Sequence, residues 1–388
     1  MPAPPVIICL GVFPSTGGTT RTVSAFQAAL DAPVFSFVRS SELASEPLGV
    51  PGAEPVVAIQ LPGLEALGVA SGHATSAAEA AIRQAPLVSC HSYFRWHCRW
   101  VWRVCRRYGV PYWNVPHGIL DPWVWSRGRL VKQVFHWLWG RAFLRDAACM
   151  IFASERERQK AQAITGTTQA EVLPWPVEPQ TVSQTHPIRQ AARARWSIPA
   201  NARVVLALGR LHPMKRPLEI IRAVARTADA NTYLLVAGPE DGVTLAEAEA
   251  VAAEEGFSDR CRVLGPVHGA EKDAVLAVAD IYVSFSHREN FNHSAMECLS
   301  AGLPVVLSPG NDLAEPIIAA QAGWGLTADD EASLRQSLAL AMRSSPERLT
   351  QMGHLGQAFV RQHASPERFS CRLQALVQQY GNTASTYA

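Results

Sequence analysis

Short apolar runs alternate with amphipathic stretches along this chain, in the rhythm of a repeated strand and helix. Residues 6–12 are continuously apolar, which suits a central parallel strand covered on both faces. Residues 33–38, 87–90, 111–115 and 149–153 repeat that pattern. Between them, helical periodicity runs over 21–30, 96–108, 130–145 and 155–164. Gly109 is placed to end the second of these helices. Residues 40–72 carry many Pro and Gly and predict no clear element. The stretch 174–199, rich in Pro, Gln and Thr, reads as a linker followed by an entry helix. A second series then begins, with strands expected at 204–208, 232–237, 261–264, 281–285 and 304–307. Helices are expected at 217–227, 243–255 and 272–279, and throughout the tail from Glu331.

Two doubly wound α/β domains are the economical reading. The expected division is an N-terminal domain over 1–178 and a C-terminal domain over 190–365, with a last helix, 366–388, packing back on the first domain. A chain of 388 residues is too long for one ordinary core, and 48% apolar residues suffice for two. A net charge of +2 sets up no global field for nucleic acid. The eight cysteines are scattered, without Cys-x-x-Cys or zinc-type spacing, as in a cytoplasmic protein with reduced thiols. His97, Cys98 and Cys105 are close in sequence, but they read as the core-facing side of a helix rather than as metal ligands. The apolar run 6–13 is too short to span a bilayer and has no basic leader, so no signal peptide is expected.

Open parallel sheets bind ligands beyond the carboxyl ends of their strands, and every distinctive loop here falls at such an end. Glu289 lies in the loop after the 281–285 strand, and Glu297 lies on the helix that follows. A loop carboxylate can hold sugar hydroxyls, a helix carboxylate can hold ribose hydroxyls, and the amides of Asn290, Phe291 and Asn292 between them can hold a diphosphate near a helix N-terminus. Gly209, Arg210 and Lys215 follow the 204–208 strand, where Arg can act as a fork and Lys as a point charge on a diphosphate. Gly17 and Gly18 end the first-strand loop and let backbone approach a ligand, although the dinucleotide spacing Gly-x-Gly-x-x-Gly is absent. His117 follows the 111–115 strand and precedes Gly118, where it can donate to a sugar hydroxyl. His91 stands at another strand end and reads as structural.

Two glutamates at this spacing occur in many chains. Here Ser-x-x-Glu-x-Phe precedes them and Ala-Gly-Leu-Pro-Val-Val follows. So framed, the stretch resembles the paired-glutamate signature of the family 4 retaining nucleotide-sugar glycosyltransferases of GT-B fold. The run from Pro116 to Trp123 is similar to that of bacterial exopolysaccharide and capsule members. The resemblance implies two Rossmann-like domains facing a cleft, a nucleotide diphosphate sugar held by the C-terminal domain, and a saccharide acceptor, possibly lipid-linked, on the N-terminal one. It implies catalytic roles for His117, Arg210, Lys215 and Glu289, and donor binding by Gly17, Gly18, Gly209, Arg210, Lys215, the 290–292 segment and Glu297. No cofactor and no metal are expected, since Asp-x-Asp is missing and the cations replace an ion on the diphosphate.

The chain departs from the family at Asn292, where glycine is usual, and at 174–178, where Pro-Asn-Gly is common. A nucleotide-sugar epimerase on the same fold, or a non-catalytic saccharide- or membrane-binding protein, remains compatible with these residues. Residues 94–145 hold most of the tryptophans and many arginines, with Asp121 the only acid. Such a mixture suits the inner face of a membrane with anionic lipid, and equally a tryptophan-rich core under a basic face.

Overall fold

A computed structural model describes residues 3–13, 17–45, 48–49, 56–61, 73–166, 169–180 and 186–381. Most of the 40–72 stretch that predicted no element, part of the first-strand loop and part of the linker lie outside the described residues. The chain divides into two compact units: residues 1–176 with 366–388, and residues 177–365.

The first unit is built on a seven-stranded parallel sheet of order β3-β2-β1-β4-β5-β6-β7. Its strands are β1 (Val6–Leu10), β2 (Val34–Arg39), β3 (Val56–Leu61), β4 (Val88–His91), β5 (Tyr112–Val115), β6 (Cys149–Phe152) and β7 (Ala170–Val172). Ile7, Ile8, Val34, Val88, Tyr112 and Ile151 are fully covered, the burial expected of strands that carry helices on both faces. Each such side chain contributes about 1.5–3 kcal/mol on leaving water. The helix Trp96–Tyr108 turns His97, Cys98, Val101, Val104 and Cys105 inward and its arginines outward. The last helix, Pro366–Gly381, lies against the helix Gly18–Leu30, with the Phe369 and Phe26 rings 5.3 Å apart and Gln374 Nε2 donating to the Ala29 carbonyl at 3.1 Å.

The second unit has a six-stranded parallel sheet of order β10-β9-β8-β11-β12-β13. The strands are β8 (Arg203–Leu208), β9 (Thr232–Ala237), β10 (Cys261–Val263), β11 (Ile281–Ser284), β12 (Val305–Leu307) and β13 (Gly323–Gly325). In both sheets the strand order reverses beside the first strand of the unit: between β1 and β4, and between β8 and β11. Loops leaving the two strands at such a point diverge to opposite faces and open a crevice.

The structure adds elements to those expected. The strands β7 and β13 and the helix His73–Gln84 were not read from the sequence; β7 and β13 are only three residues long, too short for a periodicity. The helix expected over 130–145 is present and runs from Arg129 to Asp146, with a π-helical turn at His136–Gly140 between Arg129–Phe135 and Arg141–Asp146. Gly140 in that turn lies against Tyr93 Oη, too close for any side chain.

Candidate active site

In the second unit the site begins with backbone. Gly209 leaves β8 at φ 147°, and Gly238 leaves β9 at φ 154°, with its α-carbon against the Gly209 carbonyl. A Cβ at Gly238 would collide with that oxygen, so glycine is required for the two strand ends to lie this close. The chain then forms a short turn, Pro213–Lys215, capped by His212 Nδ1, which accepts from the Met214 N–H at 3.0 Å. This turn aims Lys215 across the reversal point. Its Nζ donates to Glu289 Oε1, and Ser286 Oγ donates to the same oxygen at 3.3 Å. Glu289 is held by its own backbone as well, its N–H to Gly310 and its carbonyl to Asp312. Arg210 pairs with Asp241 at the β9 end. A cavity of about 30 Å³ lies beneath these groups, lined by Gly209, Arg210, Lys215, Tyr282, Ser284 and Ser286.

Asn292 adopts the left-handed conformation, φ 54° and ψ 71°, just before the helix His293–Ser300. Asparagine is among the few residues other than glycine that visit this region readily. Its side chain turns inward. Oδ1 accepts from the Ala295 N–H at 3.1 Å, and Nδ2 donates to Ser284 Oγ at 3.2 Å. Phe291 is buried as well. The side chains of Phe291 and Asn292 therefore support the loop from inside, and at these two residues only the main chain is left for a ligand. On the following helix, Glu297 Oε1 meets Lys272 Nζ at 2.8 Å, both largely buried. Lys272, on the helix Gly269–Val278, escaped sequence reading because nothing in its own segment marks it. Asp241 escaped for the same reason.

In the first unit Gly17 has φ 64° and its α-carbon faces open space, at the start of the helix that includes Gly18. His117, after β5, also has positive φ, 54°. Its Nε2 lies 2.9 Å from His91 Nδ1, at the end of β4, and His91 Nε2 lies 3.0 Å from Ser89 Oγ. The His117 ring packs 5.7 Å from that of Trp175. Burial pushes the His117 imidazole down to about 4, and burial with the neighbouring His117 and His97 rings pushes His91 well below the usual histidine range, so both are neutral at pH 7. The loop is clamped from behind by buried Glu157, whose carboxylate accepts the Gly118 N–H at 2.5 Å and the Ala153 N–H at 2.7 Å. The sequence gives no hint of that role. Cys90, His97 and Cys98 bring ligand atoms within 4.8 Å of one another, but they are buried in the first core, and His97 Nε2 donates to the His91 carbonyl at 2.7 Å.

Comparison with known proteins follows the same division. Residues 188–357 match the model of "Glycosyl transferases group 1". The chain is 34% identical over 146 residues to D-inositol 3-phosphate glycosyltransferase of Corynebacterium glutamicum, 36% of this chain and 34% of that protein. It is 26% identical over 202 residues to the enzyme of that name from Mycolicibacterium smegmatis, 51% of this chain and 44% of the relative. The chain thus spans less than half the length of the curated relatives it matches. Among solved structures, Anabaena HepE in complex with UDP aligns with TM-score 0.76 and 16% identity over 97% of this chain and 100% of that one. WaaG, a glycosyltransferase involved in lipopolysaccharide biosynthesis, aligns with TM-score 0.66 and 16% identity over 95% and 99%. The fold of this chain is therefore GT-B, with two parallel-sheet Rossmann-like domains, and its residues 188–357 are similar to the group 1 glycosyl transferases.

Proposed function

We propose that the protein is a retaining glycosyltransferase that moves a sugar from a nucleotide diphosphate sugar to a saccharide acceptor. The observation that carries this reading is the meeting of Lys215 and Glu289 at the strand-order reversal of the second unit, with Arg210 beside them and Glu297 on the next helix. Cations at this point suit a diphosphate, and the carboxylates suit sugar and ribose hydroxyls. The bound UDP of HepE makes a uridine diphosphate sugar the first donor to try.

In the proposed mechanism Arg210 and Lys215 stabilise the negative charge that grows on the departing diphosphate. Glu289 positions the transferred sugar and Glu297 the ribose. Retention proceeds by same-face displacement, in which the acceptor oxygen bonds to the anomeric carbon as the C–O bond to phosphate breaks, and the leaving phosphate takes the acceptor's proton. His117 donates a hydrogen bond to the sugar. The acceptor belongs to the first unit, and the proposed role is in bacterial surface polysaccharide assembly; WaaG, of similar fold, acts in lipopolysaccharide biosynthesis.

A peripheral membrane contact is part of this reading, on one specific observation. Leu130, Val131, Val134, Trp137 and Leu138 are 57–78% exposed on one short helical stretch, beside Arg129 and Arg141. Apolar side chains flanked by cations suit an anionic lipid surface. No helix among the described residues is long and apolar enough to cross a membrane. Trp100 does not belong to the patch: it packs on the first core, its ring 5.5 Å from Phe37.

The test is turnover of UDP-sugars with saccharide acceptors and, because of the relatives' name, with D-inositol 3-phosphate, in the presence of excess chelator. Product of retained anomeric configuration by NMR is expected. Donor isomerised without acceptor points instead to an epimerase, and an untouched donor to a binding protein.

A further inference from the structure

The hydroxyl of Ser89 sits in the core of the first unit, on β4, with no exposed surface. Its polar neighbour is His91 Nε2, at 3.0 Å. His91 Nδ1 in turn meets His117 Nε2 at 2.9 Å, so the three side chains form a line from the core to the loop after β5. Each contact needs one proton, and two arrangements are possible. In one, His117 Nε2–H donates to His91 and His91 Nε2–H donates to Ser89. The serine proton is then left in the core with no acceptor, a costly state for a buried hydroxyl. In the other, Ser89 O–H donates to His91 Nε2, His91 Nδ1–H donates to His117 Nε2, and every proton along the line is used.

We propose that Ser89 and His91 are positioning residues that lock His117 in the Nδ1–H tautomer, so that it presents a hydrogen-bond donor to its ligand. The partner this fits is an acceptor oxygen, such as a sugar hydroxyl or a phosphate oxygen. Both rings are neutral, as the site requires for a one-proton contact. His97, by donating to the His91 carbonyl, fixes the backbone from which the relay hangs. The identity of the ligand rests on the glycosyltransferase reading; the tautomer does not.

The experiment is long-range proton–nitrogen correlation NMR of the full chain labelled with ¹⁵N-histidine, with resonances assigned by His117→Asn and His91→Asn. The native protein is expected to show protonated Nδ1 and bare Nε2 on both rings. Ser89→Ala removes only one oxygen and should let both rings mix tautomers, while Ser89→Thr, which keeps the hydroxyl, should restore the native pattern. Protonated Nε2 on His117 in the native protein overturns the proposal, as does an Ser89→Ala spectrum identical to native. If Ser89→Ala does not fold, the native spectrum alone decides. In a turnover assay Ser89→Ala should lose roughly threefold to tenfold, the worth of one hydrogen bond, and Ser89→Thr should regain it. Absence of any turnover in the native protein would count against the glycosyltransferase reading and leave the tautomer result standing.

Discussion

Lys215 and Glu289, 74 residues apart in sequence, form an ion pair whose side chains are only 18% and 13% exposed. The lysine comes from the turn after β8 and the glutamate from the loop after β11, so the pair closes the point where the strand order reverses. Removing one partner leaves the other charge largely desolvated without its counter-ion, a cost of roughly 1–3 kcal/mol. Lys215→Met and Glu289→Gln should each lower the denaturation midpoint. The double variant should be more stable than the sum of the two losses predicts, and it should still lack transferase activity. Strict additivity in urea titrations would show that the two residues do not interact.

Arg210 is paired with Asp241. A diphosphate must compete with that carboxylate for the guanidinium. Both side chains are well exposed, so the pair is worth about 0–1 kcal/mol. Asp241→Asn should therefore tighten nucleoside diphosphate binding by up to about fivefold in calorimetry. Weaker binding would mean that Asp241 itself assists the ligand.

Glu297 and Lys272 form the corresponding pair on the other side of the loop. Charge-assisted hydrogen bonds to ribose are worth roughly 1.5–3 kcal/mol, so Glu297→Ala should weaken nucleoside diphosphate binding at least about tenfold. Lys272→Met should weaken it less, because the carboxylate remains and only the contact that positions it is lost. The comparison of nucleoside with 2′-deoxynucleoside diphosphate checks the contact: Glu297→Ala should erase the native preference between them.

Asn292 combines left-handed backbone with an N-cap hydrogen bond. Asn292→Gly keeps the first but loses the second together with the bond to Ser284, and should cost about 1 kcal/mol. Asn292→Ala loses both and should cost about 1–3 kcal/mol. Equal thermal midpoints for the two variants would contradict this account of the loop.

The exposed stretch 130–138 predicts salt-sensitive sedimentation with anionic liposomes and little affinity for neutral ones. Trp137→Ser with Leu138→Ser should abolish it, while Trp100→Phe should leave it unchanged. Liposome binding that survives the double serine variant would place the contact elsewhere.

The sequence by itself determined the classes of element and the loops that matter. Continuous apolar runs such as 6–12 can be satisfied only by strands covered on both faces, and β1, β8 and β11 carry that signature in their own residues. The glutamate frame, the cations after β8 and His117 were legible because each stands at a strand end within a local motif. What the tertiary structure decided is pairing. Lys215 to Glu289, Arg210 to Asp241, Lys272 to Glu297, Glu157 to the Gly118 amide, and His91 to His117 all join segments that periodicity cannot relate, and the contact of Ser89 with His91 shows only once both side chains are placed. Asn292 shows the same limit at a single residue. The residue is visible in the chain, but that an asparagine satisfies the position follows only from a left-handed backbone and a helix amide placed to meet its side chain. Short strands such as β13 have too few residues for an alternation to show, and exist because a neighbouring edge supplies their hydrogen bonds.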